Sequence, residues 1–238
     1  MKSKNQNLLR RRALRESLLA LSDDPRRLLG RLLAFLILAQ VLLVAMHFVV
    51  TTFFADWASQ AYDGHIGVFD LDDEATLAVW FSSSQLLVLS LVSLLLSWSD
   101  EVRTMWLDSA PMWRYSGAIL FIMSVDEVAG FHEMFGNAMT LLLPQVPIHP
   151  SLWWSIPYAI ALAPVFGFAL FRSVGKPKLV TATVCSGLLW VAANALEFFF
   201  LLPDAINVAL EEGFEMLGAT VLLGVFATHL LNLRGSVT

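Results

Sequence analysis

Cysteine occurs once in this 238-residue chain, at Cys185, which excludes an internal disulfide and any cysteine-rich metal or iron–sulfur site. Charge is scarce too: 15% of residues are Asp, Glu, Lys or Arg against 57% hydrophobic, a balance that cannot clothe a water-soluble domain of this size. Lys and Arg are missing from residues 32–102, 115–171 and 179–233, which leaves no basic surface for nucleic acid along the body of the chain. There is no GxSG, HExxH, Walker or dinucleotide-binding pattern, so the familiar serine, zincin, nucleotide and Rossmann chemistries have no footing. The spans also hold too few histidines for a membrane hydrolase built on several histidine ligands.

Long apolar runs fill the space these absences leave. Six follow one another, Arg31–Phe54, Ala75–Trp98, Trp113–Leu141, Leu152–Phe171, Leu179–Leu202 and Ile206–Leu231. Each is long enough as a helix to cross about 30 Å of hydrocarbon. The connecting segments alternate in charge. Arg103 lies between the second and third runs and Arg114 at the start of the third, Arg172, Lys176 and Lys178 between the fourth and fifth, and Arg234 after the sixth; the other three connections contain no Lys or Arg. The positive-inside rule then puts both termini in the cytoplasm. The expectation is an all-α, six-helix integral membrane bundle in a bacterial inner membrane, residues 31–238, whose first apolar run is a retained span and not a cleaved signal peptide.

Nine of the fifteen Lys and Arg residues fall between Met1 and Arg31. Leu8, Leu14, Leu18 and Leu21 recur beside Arg10, Arg11, Arg12 and Arg15, so residues 1–30 read as a cytoplasmic basic amphipathic helix lying on anionic lipid headgroups, or as an arm whose charges only set topology. The stretch from Ala55 to Glu74 is acidic, but it lacks the glycine and terminal glutamate of an EF-hand loop; Asp72 or Asp73 is expected to cap the second helix. Pro157 and Pro164 are expected to kink the fourth.

The most unusual stretch is Ser124–Gly136, SVDEVAGFHEMFG, which places Asp126, Glu127, His132 and Glu133 inside a membrane-crossing run. Ionisable groups in hydrocarbon cost several kcal/mol unless paired, protonated or wetted, and so mark function. At about 1.5 Å of rise per residue, Glu197 of the fifth run and Glu211, Glu212 and Glu215 of the sixth fall at a similar depth in the outer half of the membrane, with His47 of the first as a possible addition. If the third run is one helix, Asp126 and Glu133 share a face, with Glu127 and His132 on opposite flanks.

So many acids in one low-dielectric layer need a positive partner, and no Lys or Arg is expected at that depth. A divalent metal (Fe, Mn or Zn) answers this, since carboxylates and imidazole on facing helices are the ligands of di-iron and di-manganese bundles, although the Glu-x-x-His pairs of those proteins are absent. Shared protons are the other answer, and would relay H⁺ or couple it to transport. In a third reading the acids only hold a scaffold together through hydrogen bonds. The leading expectation is oxidoreductase or hydrolase chemistry on a lipid or small apolar molecule at a metal site formed by Asp126, Glu127, His132, Glu133, Glu197, Glu211, Glu212 and Glu215; the alternatives are a proton-coupled transporter or ion conductor and a non-catalytic scaffold.

At these residues the chain resembles a family of uncharacterised bacterial multi-pass membrane proteins. The motifs are SxDExxxxHE at Ser124–Glu133, a segment ending in glutamate at Asn194–Glu197 and EExxEMxG at Glu211–Gly218, with DLDDEATLAVWFSS before and within the second run. Asn194 departs from the small residue expected there. The resemblance implies that these acids act as a group; it supplies no reaction.

Overall fold

The computed structural model describes residues 24–54, 67–69, 71, 76–99, 109–146, 149–199 and 202–235. The basic arm over residues 1–23 and nearly all of the acidic stretch from 55 to 74 lie outside the described residues. The described chain forms seven α-helices and no strand: α1 (Pro25–Phe53), α2 (Leu77–Ser99), α3 (Ser109–Ala129), α4 (Phe131–Leu142), α5 (Pro150–Ser173), α6 (Pro177–Phe199) and α7 (Asp204–Gly235). Five of them, all but α3 and α4, are long and apolar enough to cross a bilayer, which makes this an all-α membrane-embedded protein.

Local chemistry fixes several helix ends. Asp24 accepts from the Arg27 amide at 3.1 Å and Pro25 occupies the first turn, so α1 starts six residues before its apolar run. The α2 cap is Thr76, whose hydroxyl accepts from the Val79 amide at 3.2 Å, rather than Asp72 or Asp73, because the helix begins only at Leu77. Between α5 and α6, Gly175 takes φ 78°, a turn conformation glycine adopts without strain. Pro157 and Pro164 lie inside α5, which continues through both; Tyr115 donates to the Ala161 carbonyl at 2.9 Å, next to the carbonyl that Pro164 leaves without its helix donor.

Hydroxyl groups register the helices against one another. Ser83, Ser90 and Ser93 of α2 donate to the carbonyls of Ser124, Gly117 and Trp113 of α3, at 2.7, 2.7 and 2.8 Å, and Ser124 donates back to Ser83 at 2.8 Å. The α2 numbers rise as the α3 numbers fall, so the two helices run antiparallel and in step. The α6–α7 pair repeats the device: Ser186 donates to the Gly218 carbonyl at 2.7 Å, the Trp190 indole to the backbone carbonyl of Glu215 at 3.0 Å and Asn207 to the Leu196 carbonyl at 3.1 Å. In hydrocarbon, where apolar contact between helices gains nothing over contact with lipid, small residues and such bonds select the partner surface.

Helices α2, α3, α5, α6 and α7 close into a ring, with α1 packed outside it along α7. Gln40 of α1 donates to Met216 and Thr220 of α7, and Gln85 of α2 donates to the same Thr220 hydroxyl. At the end of the ring that carries Arg172, Lys176 and Lys178, the fully buried Trp113 packs edge-on against Phe168 and Phe226, with ring centroids 4.8 and 5.0 Å away. His229 lies beside it, 3.1 Å from the Ser173 hydroxyl.

Candidate functional site

The third apolar run is not one helix. Gly130 takes φ 60°, ending α3 with a bond from its amide to the Asp126 carbonyl at 2.8 Å and starting α4 as a cap that has no side chain. Asp126, one turn back on α3, does the capping: its Oδ1 accepts the His132 amide at 2.9 Å. Its Oδ2 faces the His132 Nδ1 at 3.0 Å and also accepts a hydrogen bond from the Tyr158 hydroxyl of α5. The break therefore removes the shared face of Asp126 and Glu133 that a continuous helix implies, and brings His132 to Asp126 in its place. The His132 ring stands edge-on to Trp154, 4.8 Å between centroids, which with Asp126 leaves it little freedom to turn.

Next to Asp126, Glu127 points toward α7. One oxygen each of Glu127, Glu212 and Glu215 lies within 4.8 Å of the other two. At that separation two ionised carboxylates repel by about 3–4 kcal/mol at an effective dielectric constant near 20. Ser82 of α2 hydrogen-bonds Glu127, and Glu215 is within electrostatic reach of Glu127, Glu211 and Glu197. Acids from α3, α6 and α7 thus occupy one layer of the bundle.

The remaining candidates sit around this core. Glu197 of α6 hydrogen-bonds Ser151 at the start of α5 and lies within electrostatic reach of His149 and His132. Glu133 is exposed in the first turn of α4, and Glu211 is half-buried one turn above Glu215. His47 is 2% exposed on α1, where its Nδ1 accepts the Leu71 amide at 3.2 Å; it does not join the three-carboxylate group. Tyr158, Ser82, Ser151 and Trp154 escaped the sequence reading. Tyr158 had a signal, since it is one of three tyrosines and falls in a span, where a phenol needs a partner.

Asp126, Glu127, His132, Tyr158 and Glu215 line one end of a cavity of about 740 Å³ between α2, α3, α5, α6 and α7. Among the residues lining it there is no Lys or Arg. Beyond Tyr158 and Asn194 its walls turn apolar, with Leu162, Phe166, Leu170, Leu188 and Val191.

A family model described as a domain of unknown function, DUF8692, matches residues 32–230. The chain belongs to the DUF8692 family. The DUF8692 match runs from α1 to the last turns of α7, so the cavity and every acid in its polar layer lie inside it. No curated protein and no solved structure matches the chain.

Proposed function

We propose that this DUF8692 member is a six-span protein of a bacterial inner membrane, with both termini cytoplasmic, that performs metal-dependent oxidoreductase or hydrolase chemistry on a lipid or small apolar molecule. The observation that carries this reading is the convergence of Glu127, Glu212 and Glu215 within 4.8 Å, with Glu127 and Glu215 lining the polar end of an otherwise apolar cavity. The basic arm, on this reading, rests on anionic lipid headgroups at the cytoplasmic face.

The donor set fits a divalent ion. Three carboxylates from two facing helices offer oxygen ligands beside a cavity that no Lys or Arg lines, and an oxygen-rich set suits Mn or Fe better than Zn, which favours nitrogen and sulfur ligands. Such an ion supplies Lewis acidity or, if redox-active, electrons. The chain's own part is orientation and proton handling. Asp126 holds the His132 Nδ1, which directs Nε2 to exchange a proton with a cavity ligand, and Tyr158 and Trp154 keep that pair in place. The apolar walls exclude water.

Elemental analysis of the full chain purified in detergent tests this. About one equivalent of Mn or Fe per chain is expected, lost in the double variant Glu127→Ala, Glu215→Ala and retained in Glu133→Ala. Protein that purifies folded but metal-free sinks the metal centre. It leaves the same carboxylates to protons, for which pH-dependent uptake into proteoliposomes, lost in Glu215→Gln, is the measurement.

A further inference from the structure

The cavity has a direction. Trp154, Tyr158, Leu162, Phe166 and Leu170 recur along one face of α5, and Thr183, Gly187, Val191, Asn194 and Phe198 along one face of α6, so it follows the seam between these antiparallel helices. From Tyr158 to Leu170 that seam covers about 18 Å at 1.5 Å per residue. This is close to the depth of one leaflet, half of a hydrocarbon core about 30 Å thick.

The seam is also open sideways. Leu188 and Val191 line the cavity and are nevertheless 61% and 67% exposed, as residues at the lip of a cleft must be. Small residues at Ala159, Ala163 and Gly187 keep the two helices from filling the space between them. A hydrocarbon chain can therefore pass from the bilayer into the cavity without crossing water.

Charge then limits the head. The end that would receive it holds Asp126, Glu127 and Glu215 with Glu212 beside them, more acids than one divalent ion offsets, so a phosphate brought among them still meets like charge at low dielectric. The volume is that of a site for one small molecule, not for a two-tailed phospholipid.

Resting on the metal reading above, which leaves an uncharged oxygen as the fitting head, we propose that the cavity binds a single-chain amphiphile with a small uncharged oxygen head group, of the class of long-chain alcohols or aldehydes. It enters sideways between α5 and α6. Its head lies at Tyr158 and Glu215, and its chain runs past Phe166 toward Leu170 and Thr183.

Photolabelling of the full chain in detergent with a diazirine-bearing hexadecanol tests the assignment. Label is expected in α5 and α6 peptides, and excess unlabelled hexadecanol is expected to suppress it about tenfold where hexadecyl phosphate and hexadecylamine do not. A Cβ on Gly187 would have the Phe166 ring as its nearest neighbour, at 3.5 Å, so Gly187→Phe must place its ring in the cleft. That variant is expected to lose label about tenfold, the equivalent of roughly 1.4 kcal/mol, while keeping its metal. Should it fail to fold, the competition series on the unmodified chain decides alone. Label that hexadecanol does not displace, or that the phosphate or the amine displaces equally, overturns the proposal. Metal content of the same samples separates the two ideas: metal without displaceable label overturns this one and leaves the metal centre, whereas displaceable label in metal-free protein overturns the metal centre and leaves the amphiphile site.

Discussion

Asp126 spends one carboxylate oxygen on the backbone of α4 and the other on a histidine and a tyrosine from two further places in the fold. A bond to an ionised acceptor contributes about 1.5–3 kcal/mol in water-soluble proteins, whereas hydrogen bonds between membrane helices average nearer 0.6. The acid and the enclosure favour the upper figure, and the alternative partners available in an unfolded membrane state favour the lower. Tyr158→Phe is therefore expected to cost about 1–2 kcal/mol, read as a lower thermal midpoint in detergent. Tyr115→Phe, which loses only a bond to the neutral Ala161 carbonyl, is expected to cost about half as much. Equal losses would mean that Asp126 is not the charged hub described. The sequence exposes Asp126 and His132 as misfits in a membrane run, yet it conceals their pairing. Residues six apart do not meet on a continuous helix, and only a break between them lets one reach the other.

That break belongs to a whole element. Gly130 alone in the third run has the left-handed conformation, and a residue with a Cβ pays about 1–2 kcal/mol to adopt it. Gly130→Ala is expected to lose stability by about that amount, and to lower the yield of metal-loaded protein because the end of α3 that carries Glu127 shifts; Gly130→Asn, whose side chain tolerates this conformation better, is expected to fall between the two. A full-length α3 through residue 142 in the alanine variant, with stability unchanged, would refute the role of the break. Helix pairing was similarly half-visible. The serines of α2, at 83, 90 and 93, sit in an apolar run where polarity needs a reason, but their acceptors are backbone carbonyls of α3, and a carbonyl leaves no mark in a sequence. The same holds for Gly218 in α7, where any Cβ would run into the Trp190 ring that donates to Glu215. A glycine in an apolar run is compatible with close helix approach, but nothing in the sequence names the indole that uses it.

For the molecule as a whole, α3 decides the topology. It carries Arg114, Asp126 and Glu127 together with four residues bearing hydroxyl groups, Ser109, Tyr115, Ser116 and Ser124, and so is less apolar than the five helices that qualify by length and composition as membrane spans. Hydropathy averages over a helix and does not record which way its polar groups turn. Apart from Arg114, which is exposed near the start of the helix, those of α3 turn inward: Ser124 is bonded to α2, Tyr115 and Asp126 to α5, and Asp126 and Glu127 line the cavity. Its outer face is apolar, with Phe121, Ile122 and Val125 exposed. Because α3 pairs in step with α2 from Trp113 to Ser124, it reaches as deep as α2 does, and if α2 crosses the bilayer then α3 crosses back. Phe54 before α2 and Gln145 after α4 then lie on the same side. In a Cys185→Ala background, Phe54→Cys and Gln145→Cys are both expected to react with a membrane-impermeant maleimide on intact cells, and Lys176→Cys only after permeabilisation. Reaction at one of the first two and protection of the other would mean that α3 does not cross. The acids of α3 and α7 would then face each other at an interface instead of within hydrocarbon, where water and counterions screen them, and the electrostatic need for a bound metal would disappear with the sixth span.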